Sequence, residues 1–159
     1  PRPRRCQPDE IVRACLHDLQ EEAKARGIQL IVEASTPTAW AWADPDPLRH
    51  LADALTRNAL EATPPGGTVR LTTTVTPRRL EWTIRDSGRG LDPHAARHLF
   101  DPFFCGRQAG RGLGLGLPRA ARIVALAGGD LSWRSSPGRG TTFHLTLPLA
   151  EEPPDPNAR

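Results

Sequence analysis

Methionine is absent from this chain, and cysteine is scarce: Cys6, Cys15 and Cys105 are the only three. An odd number without metal-ligand spacing argues against a disulfide framework or a cysteine-held zinc. Each reads as an ordinary thiol in a reducing cytoplasm. No apolar run approaches the ~20 residues of a membrane helix, and no signal peptide is evident. A start at Pro1-Arg2-Pro3 without a methionine anywhere marks the chain as an expected excerpt of a longer protein, whose own membrane attachment stays open. A polybasic block is missing too. The pI is about 9.3, yet the formal charge is only +3 and the arginines are scattered. That pattern points away from nucleic acid and membrane surfaces, toward a solvated exterior or local phosphate contacts. Internal repeats are also lacking. What is present is 159 residues, enough for one domain with a buried core.

Within that length, Pro8-Asp9-Glu10 followed by Ile11, Val12, Cys15, Leu16 and Leu19 predicts a helix to about Ala25, closed by Gly27. Ile28 to Glu33 alternates as a strand, and Trp40 to Ala43 forms a second. Asp44-Pro45-Asp46-Pro47 stops that strand and starts the next helix, with Asp46 as its expected cap. This helix carries Leu48, Leu51, Ala52, Leu55, Ala59 and Leu60 at core spacing and ends at Pro64-Pro65-Gly66-Gly67. Thr68 to Thr76 and Arg79 to Arg85 make a hairpin. Residues 87 to 114 form a long glycine-interrupted loop holding a short helix near His94 to Phe100. Loops of this length in compact domains serve as lids or binding loops. A helix from about Leu117 to Ala127, a hairpin of Leu131 to Ser135 with Thr141 to Leu147, and a disordered Pro-rich and acidic tail complete the order. The expected fold is α/β, a two-layer sandwich whose mixed, mostly antiparallel sheet is covered on one face by three helices.

Chemistry concentrates at three places. Gly110-Arg111-Gly112-Leu113-Gly114-Leu115-Gly116 opens the third long helix. There glycine lets backbone amides approach an anion and the helix start adds its dipole. Asp86 ends an apolar strand ahead of Ser87-Gly88-Arg89-Gly90. A carboxylate there could accept a hydrogen bond from an exocyclic amino group, or simply stabilise its own turn. Asn58 lies late in the second helix, where its amide oxygen is a neutral hard ligand suited to phosphate-bound Mg²⁺. Alone, a helix asparagine is more often structural. Arg107 and Arg111 could reach phosphate oxygens with a forked guanidinium. Phe100, Phe103 and Phe104 could lock one end of the loop to the core.

Taken together, Asn58-Ala59, Asp86-x-Gly88-x-Gly90, the Phe100 to Phe104 segment, Gly112-Leu113-Gly114-Leu115 and Gly140-Thr141-Thr142-Phe143 follow one superfamily's order. Over residues 10 to 148 the chain resembles the catalytic and ATP-binding domain of bacterial sensor histidine kinases. This Bergerat fold is shared with gyrase, the Hsp90 chaperone and a mismatch-repair ATPase. Asn-Ala-Leu-Glu-Ala at 58 to 62 and Pro-Phe-Phe at 102 to 104 look most like the nitrogen-regulation branch. The resemblance implies ATP and Mg²⁺ as cofactors, with Asn58 holding the metal beside Glu61 and Asp86 binding the adenine amino group. Gly88, Gly90 and Leu91 would shape the base pocket. Gly110, Gly112, Leu113, Gly114 and Leu115 would meet the phosphates, and Thr141 would hold a water against the base, although Thr142 is the alternative. Arg107 would pair with the γ-phosphate. A lid is expected at about 91 to 112, with residues 1 to 9 a linker and 149 to 159 a tail. The implied partners are a dimerisation and phosphoacceptor domain of the same protein and, through the full kinase, a response regulator. No nucleic acid and no direct membrane contact are expected, and the location is cytoplasmic.

Departures from the pattern matter. Ala54 stands where relatives carry a second Asn or a catalytic Glu, and Asp53 is turned about 100° away on the helix. Its loss argues against fast hydrolysis by water activation. Cys105-Gly106-Arg107 replaces the commoner Thr-Thr-Lys. His17-Asp18 lacks the proline of an acceptor box and reads as a surface pair. Two other readings stay open: a degenerate nucleotide-binding regulatory module, and an anti-sigma serine kinase on the same fold. A Rossmann site fits poorly, because Gly112-x-Gly114 comes late and follows a loop.

Overall fold

The structure, a computed structural model, describes residues 2–36, 38–98 and 116–153. In chain order it runs β1 (Arg4–Cys6), α1 (Pro8–Ala25), β2 (Gln29–Ala34), β3 (Ala41–Ala43), α2 (Pro45–Ala62), β4 (Thr68–Val75), β5 (Arg79–Asp86), α3 (Pro93–His98), α4 (Gly116–Leu126), β6 (Asp130–Ser136) and β7 (Gly140–Pro148). The five-stranded sheet has the order β2-β4-β5-β7-β6. β2 and β4 are parallel, and the other neighbours are antiparallel. This is the expected mixed sheet backed by α1, α2 and α4.

Strand alternation creates the two layers. Leu71 and Val69 of β4, Leu80, Trp82 and Ile84 of β5, and Phe143 and Leu145 of β7 point inward and are almost wholly buried. Against them pack Leu16 and Leu19 of α1, Leu51, Leu55 and Leu60 of α2, and Ala120 and Val124 of α4. Side chains at intervening strand positions stand on the uncovered face, among them Arg70, Thr83, Arg85, Thr142 and His144. α2 is the central helix, touching both α1 and α4.

Two local readings need correction. The cap of α2 is Asp44 rather than Asp46: its Oδ1 accepts the Asp46 amide at 3.1 Å. Pro45 already occupies the first helical turn, so the cap must precede it. Residues 4–6, read as linker, pair with β3 in the register Arg4↔Ala43 to Cys6↔Ala41. Three residues beginning with two arginines carry too little alternation to register as a strand. Pairing rather than propensity holds them. The short helix spans Pro93–His98, while Leu99 and Phe100 lie outside the described residues.

Candidate functional site

Asp86 occupies the inward series of β5 after Leu80, Trp82 and Ile84, so the strand's own alternation draws its carboxylate into the layer beneath the helices. It is 1% exposed. A buried carboxylate is tolerated only when hydrogen-bonded. Oδ1 accepts the Gly88 amide at 2.9 Å and the Thr141 amide at 3.2 Å. Asp86 thereby fastens the glycine loop to the start of β7.

Glycine is required around it because backbone packs on backbone. A Cβ at Gly88 would strike the Ala62 carbonyl oxygen at the end of α2. One at Gly90, whose φ is +73°, would strike the Ser136 carbonyl oxygen. Gly140, at φ +79°, lies against the Asp86 carbonyl oxygen. Further hydrogen bonds close the cluster. The Ser87 amide donates to Thr68 O at 3.0 Å, and Ser87 Oγ accepts the Thr68 amide at 2.8 Å. The Gly138 amide donates to Arg89 O at 2.6 Å. Leu91, half-buried against the core, donates its amide to Ser135 Oγ at 2.7 Å. The loop from 86 to 91 is therefore held at both ends and across its middle.

The alternation of β7 puts the two threonines on opposite faces of the sheet. Thr141 is buried on Asp86's side, and Thr142 stands on the uncovered face. Asn58 is half-buried on α2, one turn before Ala62, and thus faces the side of the helix that meets the Gly88 loop. Among the described residues its amide has no protein hydrogen-bond partner. Glu61 is exposed on the helix's last turn. Arg107, Gly110, Gly112, Leu113, Gly114 and Leu115 lie outside the described residues. Asp53 is engaged elsewhere: its carboxylate takes Arg57 Nε at 3.1 Å, and Arg57 reaches across to Glu22 of α1 at 3.3 Å. It cannot replace the side chain that Ala54 lacks. His17 is exposed on α1.

Among the described residues, no group of three or more His, Cys, Asp and Glu could hold a metal. A metal here would depend largely on oxygens brought by the ligand's own phosphates, as Mg²⁺ does at nucleotide sites. Sequence reasoning missed Ser135. Its hydroxyl contacts Leu91, Gly140 and Thr141. The available signal was a serine in the inward series of β6, after Leu131 and Trp133.

A buried acid at a strand end, a glycine loop clamped to it and an asparagine on the central helix lie at one end of the sheet. Comparison with known proteins gives the class. Residues 43–151 match the family described as histidine kinase-, DNA gyrase B-, and HSP90-like ATPase, and the chain belongs to that family. It is 36% identical over 133 residues to the sensor protein DivL of Caulobacter vibrioides, covering 84% of this chain and 17% of that protein. To the sensor histidine kinase ZraS of Escherichia coli it is 32% identical over 143 residues, covering 88% and 30%. Full-length ShkA in complex with AMPPNP superposes with a TM-score of 0.81 at 27% identity, over 94% of this chain and 32% of that one. The catalytic domain of histidine kinase ThkA shares the fold, with a TM-score of 0.80 at 22% identity over 92% and 95%. The chain spans 17% of the length of DivL and 39% of that of SasA from Synechococcus elongatus.

Proposed function

We propose that this chain is the Mg·ATP-binding catalytic domain of a two-component sensor histidine kinase. Its γ-phosphate would go to a histidine on a separate dimerisation domain of the same protein, and from there to a response regulator. The observation that carries this reading is the buried Asp86 carboxylate, held by the Gly88 and Thr141 amides at the rim of the helix that bears Asn58. Asp86 accepts the adenine amino group, with Gly88, Gly90 and Leu91 forming the wall beneath the base. Asn58 holds the metal, which when bound supplies charge neutralisation on the phosphate oxygens. Arg107, Gly110, Gly112, Leu113, Gly114 and Leu115 take the phosphates in this assignment, with a lid over about 91 to 112. In the transfer, the acceptor imidazole nitrogen forms a bond to the γ-phosphorus as the bond to the ADP oxygen breaks. Positioning and charge neutralisation provide most of the rate. Ala54 leaves no side chain to activate water from that helical position, which suits transfer to a protein group over hydrolysis. The proposed setting is the cytoplasm, without nucleic acid or direct membrane contact. The regulatory-module and serine-kinase readings have nothing comparable behind them. The curated relatives named above are a sensor protein, an adaptive-response sensory kinase and a sensor histidine kinase.

Calorimetric titration with Mg·ATP tests the site. Asp86→Asn should weaken binding about 10- to 100-fold, the effect of degrading a hydrogen bond to a charged group. Asn58→Ala should remove the part of the affinity that depends on Mg²⁺. Wild-type affinity in both variants would refute the assignment. For the activity, the phosphoacceptor hairpin of the full-length protein, supplied in trans with γ-labelled ATP, should acquire acid-labile phosphohistidine. An unlabelled hairpin would favour the regulatory module instead.

A further inference from the structure

We infer that Ser135 is a positioning residue that fixes the direction of the Thr141 hydroxyl, so that the site presents only acceptors to the base and prefers a 6-amino purine over a 6-oxo purine. The inference deepens the ATP-site reading above and rests on it.

The argument is a proton inventory. A serine hydroxyl has one hydrogen and two lone pairs. At Ser135 one lone pair accepts the Leu91 amide at 2.7 Å. The hydrogen goes to the Gly140 carbonyl oxygen at 3.2 Å, an atom that can only accept. Thr141 Oγ1 lies 2.9 Å from Ser135 Oγ. Either oxygen could donate in that contact by distance alone; with the serine hydrogen given to Gly140, the serine's second lone pair takes the Thr141 hydrogen. A threonine that has given its hydrogen to Ser135 has only lone pairs left for the site. The same Thr141 bonds Asp86 Oδ1 through its amide at 3.2 Å, so the hydroxyl and the carboxylate belong to one wall.

Two acceptors side by side match an exocyclic amino group, which carries two hydrogens and meets them directly. An oxo group at the same position would face lone pairs with nothing to donate. Sites with fixed polarity of this kind reject the wrong partner because their buried polar groups are left unpaired. Ser135 also anchors Leu91, so the proton direction and the exit of the glycine loop are set by one hydroxyl.

Binding of ATP and of ITP, its 6-oxo counterpart, to wild type, Ser135→Ala, Ser135→Thr and Asp86→Asn distinguishes the outcomes. In Ser135→Ala the Thr141 hydroxyl is released to donate. The preference for ATP over ITP should then narrow about tenfold, the scale of one hydrogen bond. Ser135→Thr retains a hydroxyl at a strand position that accepts β-branching, and it should restore the preference. A merely structural role would weaken both nucleotides together and leave the ratio unchanged. An unchanged ratio in Ser135→Ala, with Asp86→Asn impaired, would overturn this inference alone. Unimpaired binding by Asp86→Asn would overturn the site reading and this inference with it.

Discussion

Asp44 couples two segments through one carboxylate. Oδ1 caps α2 by accepting the Asp46 amide at 3.1 Å, and Oδ2 accepts the Arg2 amide at 2.6 Å. The carboxyl is held below its ordinary value, first by the Arg2 amide and then by the Asp46 amide. A depressed value in the folded state means that the stabilisation is complete above the ordinary carboxylate range of about 3.9. It is lost as pH falls through the folded value. Asp44→Ala should therefore cost about 1 kcal/mol at pH 7, the usual worth of a helix cap. The gap from wild type should shrink at pH 3. Asp44→Asn, which caps without titrating, should keep most of the stability at both values. Urea unfolding of the three proteins at the two pH values measures this, and a gap independent of pH would refute it. The sequence repeat Asp44-Pro45-Asp46-Pro47 offers two caps of equal appearance. Only the position of Pro45 inside the first turn distinguishes them.

Periodicity made the long elements legible. α1 and α2 show their apolar stripes openly, and β4 and β5 alternate cleanly enough that Asp86 falls in the inward series. The glycine positions were legible too, but for an incomplete reason. The resemblance had Gly88 and Gly90 shape a base pocket, whereas Gly88, Gly90 and Gly140 are each demanded by a carbonyl oxygen of the protein itself. β1 was hidden, because a three-residue strand carries no period. Ser135 was hidden because its partners lie at Leu91, Gly140 and Thr141, brought together by sheet registry and a loop. The β6–β7 turn offers a test at this scale. Gly140 and Gly138 both have positive φ, +79° and +77°, yet a Cβ at Gly138 meets nothing within 4 Å. Gly138→Ala should pay only the left-handed backbone cost of about 1–2 kcal/mol and leave nucleotide affinity unaltered. Gly140→Ala adds a collision with the Asp86 carbonyl. It should destabilise by about 2–4 kcal/mol and weaken ATP binding as Asp86 shifts. Thermal unfolding and ATP titration of both variants measure the difference. Equal effects would show that the turn, and not the Asp86 contact, sets the demand for glycine at position 140.

Across the whole molecule the charges are sorted in a way that the net charge of +3 conceals. On the uncovered face Arg70 stands opposite Arg85, and Arg85 and Arg134 flank Thr142 on either side. These three arginines, 15 and 49 residues apart in the chain, form a row at the end of the sheet where β5 delivers Asp86. At the other end of the same face, Glu81 and Asp130 flank Thr146. Like charges directly opposite on neighbouring strands are unfavourable, and among the described residues Arg70 alone of the three is offset, by an ion pair with Glu33. Among the described residues Arg85 and Arg134 have no ion pair. Arg89 and Arg139, in the loops at this end, add to the same field. A row of uncompensated cations beside a site for a polyanion raises the encounter rate more than the final affinity. Replacing Arg85 and Arg134 together by Gln should slow association of a fluescent-labelled Mg·ATP analogue about two- to fivefold at low ionic strength. Dissociation should be unchanged, and the effect should fade at 1 M salt, where the Debye length falls to about 3 Å. Stopped-flow traces across a salt series separate the two rates. A change confined to dissociation, or one indifferent to salt, would mean that these arginines touch the bound nucleotide instead of guiding it.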